Sequence, residues 1–306
     1  MESENQTKQP NSRPILPVWA TIPLYIIFCF LFIGLFGGLL LIPFSVFPKS
    51  ESIYYVMGEK FALSLSSMAG VWVCAILFLK YLDRCPVSEL GMSIKGRWKD
   101  CLTGVLFAAV FYLIGFTISQ GMGAIEITGT SFDFQVLTGT FFVFFAAAAM
   151  EEIMVRGYIQ GRLMTKMNKF AAMAIASLVF AAMHIPNPNI GLFPLFNLFL
   201  AGLLLGASYM YTRNLWFPIA LHTAWNWIQG PILGYEVSGT KMFPSVFQLY
   251  LPEENIINGG RFGFEGSIIC TILMIAGTAV IILVSRRYTH RIKDKNKPLR
   301  DNSVMP

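Results

Sequence analysis

Three groups of polar side chains interrupt long apolar stretches of this sequence, and their residue types are those that perform acid–base chemistry. The first group holds two carboxylates and a guanidinium, the second an imidazole, and the third an imidazole and an amide. The groups are Glu151, Glu152 and Arg156, then His184, then His222 and Asn226. If the apolar stretches cross a membrane, such groups are costly there and usually face a cavity or a partner. These six residues are therefore the candidates for a functional site.

The spacing within the groups suggests which side chains pair. Glu152 and Arg156 are four residues apart, so on a helix they can form an ion pair on one face. Glu151 points about 100° away from that face and has no obvious local partner. His222 and Asn226 are also four apart and share a face. We therefore expect a structural role for the Glu152–Arg156 pair and a functional role for the neighbouring carboxylate.

The depth of these residues in a helical bundle can be compared from the turns. Glu151 lies 16 residues before the turn at 167–168, and His184 lies 16 residues after it. An antiparallel hairpin then places both about 24 Å from the turn, at equal depth. A second turn, at 213–214, puts the third group roughly 12–18 Å along its own helix. The sequence therefore predicts one shared cavity inside the membrane.

This set of groups has the chemistry of a hydrolase. A carboxylate beside an imidazole can position and deprotonate a water for attack on a carbonyl. A second imidazole and an amide can stabilise the oxyanion that develops. No G-x-S-x-G, H-E-x-x-H or paired-aspartate signature occurs in the chain, which disfavours serine and cysteine mechanisms. The residues thus favour peptide hydrolysis without a covalent nucleophile.

We expect no metal or other cofactor, and a zinc site is the alternative. His184, His222 and one glutamate would provide two imidazoles and a carboxylate and leave a position open for water. A thiolate site is not indicated, because the five cysteines show no C-x-x-C spacing.

The elements that position these residues are transmembrane helices. The chain has 306 residues, of which 55% are hydrophobic and only 13% charged, far fewer charges than a soluble globule carries. Its apolar runs are continuous rather than alternating, so they predict helices and not a barrel. Eight runs qualify, approximately 21–43, 60–82, 101–120, 137–160, 170–184, 192–211, 215–230 and 267–285. We therefore predict an all-α, polytopic transmembrane helix bundle of about eight spans.

The loops between these runs predict the orientation of the bundle. The loops of one side hold 18 lysines and arginines and those of the other side hold 4. Under the positive-inside rule, both termini are then cytoplasmic. The polar leader and the basic tail at 286–306 belong to that side. The basic tail is typical of a segment that flanks a membrane. We therefore expect a lipid bilayer as a partner and no nucleic-acid partner.

Taken together, the polar groups resemble the motifs of a known family. E-E-x-x-x-R, F-x-x-x-H and H-x-x-x-N occur in this order on hydrophobic segments between 137 and 230. This arrangement resembles the CPBP family, which includes the type II CAAX prenyl endopeptidases and the bacteriocin-processing or immunity proteins, also called the Abi family. Asn197 and the segment 215–219 also resemble the family's pattern.

The resemblance implies a glutamate-type intramembrane endopeptidase and a role for each motif residue. Glu151 would be the general base on water, and His184 would help to position that water. His222 and Asn226 would form the oxyanion hole. Glu152 and Arg156 would hold the site in shape and tune its charge. The implied substrates are membrane peptides or proteins, either CAAX-like or of bacteriocin type.

The motifs divide the chain into three parts. Residues 1–136 would be N-terminal transmembrane helices, 137–230 the catalytic core, and 231–306 an outer loop, the last span and the tail. We expect an integral protein of the bacterial plasma membrane. Two other functions fit the same residues, namely a non-catalytic membrane interaction or immunity protein of this family, and a transporter whose carboxylates relay protons.

Overall fold

The computed structural model describes residues 14–46 and 50–295, with side chains as far as Arg287. The polar leader and most of the predicted basic tail therefore lie outside the described residues. The helices of the described part are α1 (Val18–Val46), α2 (Ile53–Leu77), α3 (Trp98–Gly121), α4 (Phe134–Glu152), α5 (Gly161–Leu163), α6 (Lys169–Met183), α7 (Leu192–Thr212), α8 (Trp216–Trp227) and α9 (Ile268–Lys295).

Each of the eight apolar runs forms a helix. Six helical segments of the described chain are long and apolar enough to span a bilayer: 18–46, 53–83, 98–121, 134–163, 192–212 and 268–287. The other two, α6 and α8, have 15 and 12 residues and are the short runs of the sequence. The protein is thus a multi-pass, mostly helical membrane protein.

Among residues 14–46 and 50–295, three helices continue as π-helical turns. These segments are Phe78–Asp83 after α2, Ile153–Gln160 after α4 and Ile228–Ile232 after α8. Every residue of the segment after α4 is buried. Single π turns inside α-helices are often found at functional sites. Here the π-helix begins directly after the two adjacent glutamates.

Small residues let the helices around the candidate residues approach closely. A Cβ added at Gly202 of α7 would lie 2.7 Å from the Cβ of Ser177 on α6. A Cβ added at Gly104 of α3 would lie 2.7 Å from the carbonyl oxygen of Phe217 on α8. Small residues at such contacts are typical of membrane helix pairs. The packing fixes α6 against α7 and α3 against α8.

The segment between α8 and α9 folds back on the bundle, which the sequence pattern did not predict. A two-stranded antiparallel sheet joins β1 (Glu126–Thr130), before α4, to β2 (Phe247–Tyr250) in this segment. Short 3₁₀ turns at Gly260–Phe262 and Phe264–Gly266 follow, with Phe262 and Phe264 fully buried. The outer loop is therefore part of the packed structure.

Candidate active site

Glu151 and His184 meet where α4 and α6 end. Their side chains are 19% and 13% exposed, and His184 Nε2 lies 4.0 Å from Glu151 Oε2. His184 Nδ1 lies 2.8 Å from the carbonyl oxygen of Phe180. A carbonyl only accepts, so Nδ1 carries the hydrogen and Nε2 of the neutral ring is an acceptor. The structure brings together the two residues that the hairpin geometry placed at equal depth.

Glu151 Oε2 is buried and accepts no hydrogen bond from any residue that the structure describes. The carboxylate oxygen and the imidazole nitrogen are therefore two acceptors that lie 4.0 Å apart. A water molecule has two hydrogens and can donate one to each of them.

Glu152 is the centre of a second, fully buried group. Arg156 Nη1 donates to Glu152 Oε1 at 2.8 Å, as the spacing predicted. His222 Nδ1 lies 2.9 Å from the same oxygen. The carboxylate accepts from both, so His222 Nδ1 carries a hydrogen. The contact between His222 and Glu152 joins α8 to α4, and the sequence had not indicated it.

Arg156 ties this group to two further helices. Its Nη2 donates to the carbonyl oxygen of Gly202 on α7 at 3.2 Å. Its guanidinium carbon lies 4.4 Å from the ring centre of Phe180 on α6. The Phe180 ring also contacts His184, with ring centres 4.7 Å apart. The phenylalanine of the F-x-x-x-H pattern thus packs between the arginine and the imidazole.

Asn226 lies one helical turn after His222 on α8, half-buried. Within the described part of the chain its amide makes no hydrogen bond, neither with Glu151 or His184 nor with any other residue. The structure therefore places it on the predicted helix face but leaves its amide uncommitted.

Comparison with known proteins identifies the segment that holds all six residues. Residues 133–228 match the family model described as type II CAAX prenyl endopeptidase Rce1-like. The chain carries a CAAX protease domain of the CPBP family. This is a membrane protease family, so the protein is an intramembrane peptidase that acts in a lipid bilayer on membrane-associated substrates. A comparison with curated proteins returned no match. The family match gives no support to a metalloendopeptidase.

The CAAX protease domain has an apolar cavity beside His222. Its volume is about 20 Å³, and it lies between α6, α7 and α8. The lining residues are Phe180, Ala201, Leu204, Leu205, His222 and Trp225.

The zinc alternative requires both histidines and one glutamate at a single point. In the structure His184 faces Glu151, whereas His222 binds Glu152. Among the described residues, no group of three or more histidine, cysteine or acidic side chains is arranged to hold a metal ion.

A polar network, which the sequence did not predict, joins α7 of the CAAX protease domain to the outer loop. Asn197 Nδ2 of α7 donates to the carbonyl oxygens of Glu265 and Ser267, at 2.7 and 3.0 Å. Thr271 Oγ1 donates to Asn197 Oδ1 at 2.7 Å. The sequence offered two signals, Asn197, which resembles the family's pattern, and a carboxylate between apolar residues and glycines in Phe264-Glu265-Gly266, but neither indicated that the two segments meet.

Proposed function

We propose that the protein is a glutamate-type intramembrane endopeptidase in which Glu151 activates the water that attacks the peptide bond. One observation carries the proposal. The buried Glu151 Oε2, without a hydrogen bond among the described residues, lies 4.0 Å from an acceptor nitrogen of His184. Two acceptors this far apart can share one water at about 2.8 Å from each.

The proposed first step transfers one proton. Glu151 takes a proton from the bound water while His184 Nε2 holds its other hydrogen. The water oxygen forms a bond to the peptide carbonyl carbon, and the carbonyl becomes a tetrahedral oxyanion. When this intermediate collapses, the C–N bond breaks and the proton held by Glu151 goes to the leaving amine. The products are a carboxylic acid and an amine, so atoms and charge balance.

His222 and Asn226 are the proposed donors to the oxyanion. With Nδ1–H directed at Glu152, a protonated His222 presents Nε2–H to the developing charge. Glu152 stabilises the positive ring, and Arg156 balances the glutamate. The Asn226 amide, which has no partner in the described structure, can donate in the same way.

The site is proposed to work without a metal ion on membrane peptides, either prenylated CAAX-like tails or bacteriocin-type peptides, in a bacterial plasma membrane. Metal analysis of the purified protein tests the first part. One equivalent of zinc per chain, with activity lost to chelators and restored by zinc, would overturn the metal-free mechanism.

Cleavage by purified protein in proteoliposomes tests the mechanism directly. The assay uses two probes, a farnesylated peptide ending in a CAAX sequence and the same peptide without the lipid. Glu151→Gln and His184→Ala are each expected to lower the cleavage rate by at least about 100-fold. Glu59→Gln, which removes a half-buried carboxylate from α2, serves as the control and is expected to cleave like wild type.

Unchanged cleavage in both site variants would show that the mechanism is wrong. A different outcome would point to the non-catalytic alternative. In that case wild type would cleave no membrane peptide, and Glu151→Gln would keep the protein's effect in cells while changes in the outer loop abolished it.

A further inference from the structure

Glu265 of the outer loop is buried, with 5% of its surface exposed, and both carboxylate oxygens accept hydrogen bonds. Trp225 Nε1 donates to Oε1 at 2.9 Å. The backbone N–H and the hydroxyl of Ser238 both donate to Oε2, at 2.9 and 2.8 Å. Three donors facing one group match an ionised carboxylate, which only accepts.

No cationic side chain among the described residues lies within ion-pair distance of Glu265. A buried charge of this kind is costly unless its hydrogen bonds are complete. Ser238 contributes two of them from a backbone φ of +48°, in the left-handed region that serine rarely adopts. A strained residue persists only where its surroundings fix it. The loop is thus built to present donors to this carboxylate.

Trp225, which binds Glu265 from α8, lies in the sequence between the two proposed oxyanion donors. Trp225 is three residues after His222 and directly before Asn226. Its ring packs on Phe111 of α3 at 4.5 Å and lines the same cavity as His222. A hydrogen bond that fixes the indole therefore fixes the rotation of α8, and with it the direction of both donors.

The other end of Glu265 is anchored on α7. Its carbonyl oxygen accepts from Asn197, and α7 also supplies the Gly202 carbonyl that binds Arg156. Glu265 therefore connects α8 to α7, and α7 in turn binds Arg156 through the Gly202 carbonyl.

We propose that Glu265 is a positioning residue of the site, which sets the rotation of α8 through Trp225 and so aims His222 and Asn226 at the reacting carbonyl. Its effect on rate rests on the proposed function, whereas its effect on His222 does not. Glu265 lies outside the matched segment 133–228, so the outer loop contributes to the site of the CAAX protease domain.

The experiment combines kinetics with a readout of His222 that needs no activity. The imidazole nitrogen signals of isotope-labelled histidine are recorded by NMR in micelles. The chain has three histidines, and substitution of each in turn assigns the signals. Glu265→Gln keeps the shape. Because Ser238 supplies two donors and Trp225 one, the amide oxygen is expected to face Ser238 and the amide nitrogen to face Trp225 Nε1. Glu254→Gln, an exposed loop carboxylate paired with Arg261, is the matched control.

Glu265→Gln is expected to shift the His222 signals and to lower kcat at least about tenfold per folded molecule, with KM unchanged. Trp225→Phe removes the indole donor and is expected to have the same effects. The double variant should have the same kcat as either single variant, because both substitutions break the same hydrogen bond, between Trp225 and Glu265. The Glu254→Gln control should match wild type in both readouts.

His222 signals that stay in place in both Glu265→Gln and Trp225→Phe would overturn the proposal, whatever happens to the rate. If Glu265→Gln does not fold, Trp225→Phe and Ser238→Ala decide in its place. If wild type cleaves neither probe peptide, the proposed function fails while shifted His222 signals still support the positioning role.

Discussion

Glu151 and Glu152 are adjacent in the chain, and the packing gives them opposite environments. Glu152 is fully buried and shares one oxygen with Arg156 and His222. Glu151 is 19% exposed and lies beside His184. Oε2 of each glutamate has no hydrogen bond in the described structure, so the two residues differ in exposure and in the two donors that bind Oε1 of Glu152. One carboxylate is held by a cation and an imidazole, and the other is available to a water. Two adjacent identical residues can thus serve stability and chemistry separately.

This difference predicts effects of different size on the free energy of unfolding when each glutamate is replaced by glutamine. Glu152→Gln removes the ion-pair partner of the buried Arg156 and is expected to lower the free energy of unfolding by about 3 kcal/mol. Glu151→Gln breaks no hydrogen bond of Oε2 within the described residues and should change the stability by less than about 1 kcal/mol. Denaturant unfolding in detergent micelles measures both. Equal losses of stability would contradict the assignment of separate roles.

At the residue scale, contacts that depend on one helix or one hairpin were predictable. The Glu152–Arg156 pair follows from a four-residue spacing, and the Glu151–His184 contact follows from equal distances to a turn. The contact of His222 with Glu152 was not predictable, because it depends on the rotation of α8 against α4. The roles of these residues in catalysis remain predictions.

At the scale of elements, the eight helices followed from continuous apolar runs, but their irregularities did not. The π-helix at Ile153–Gln160 has no signature in its composition, because π turns arise from packing. The two short helices, α6 and α8, carry His184 at the end of one and His222 within the other. Helices that end or change geometry inside the bundle can present polar side chains to an interior site.

The contact between α6 and α7 gives a prediction about packing. Gly202→Ala would place a methyl group against Ser177 and displace the carbonyl that binds Arg156. We expect a loss of about 1–3 kcal/mol in the free energy of unfolding, with reduced cleavage. Gly38→Ala on α1, where nothing lies within 4 Å, is the matched control and should be neutral or slightly stabilising. Thermal unfolding of the two variants in micelles would distinguish them, and equal midpoints would contradict the close approach.

The start of α4 gives a prediction about pH. The backbone N–H of Val136 and the hydroxyl of Tyr54 both donate to Asp133, and they lower the pKa of this carboxyl below its ordinary value. The stabilisation by the ionised cap is therefore present above about pH 3.9 and is lost as the pH falls below that value.

Asp133→Asn keeps an acceptor for the helix N-terminus but cannot ionise. We expect wild type to have the higher unfolding midpoint at neutral pH, and the difference should shrink as the pH falls from 5 toward 3, roughly the window around the ordinary pKa. Midpoints recorded across this range test the prediction. A constant difference would show that the charge of Asp133 does not stabilise α4.

At the scale of the whole molecule, the site depends on elements on both sides of the predicted core at 137–230. Helix α3 packs on α8 through Gly104, and the outer loop binds Trp225 through Glu265. The outer loop lacked a periodic pattern, so its packed structure could not be predicted from the sequence. Many of its polar contacts join residues far apart in the chain, such as Asn197 with Ser267, 70 positions apart, and Ala124 with Asn258, 134 positions apart, which local spacing does not reveal.

The orientation of the bundle in the membrane is the last prediction. With 18 lysines and arginines in the loops of one side and 4 in the other, both termini should be cytoplasmic. A fluorescent protein fused to the C-terminus should then fluoresce, and alkaline phosphatase fused at the same point should be inactive. A phosphatase fused within the outer loop, after Glu254, should be active and serves as the control. The reverse pattern would place the outer loop, with Glu265, in the cytoplasm and would contradict the orientation that the basic loops predict.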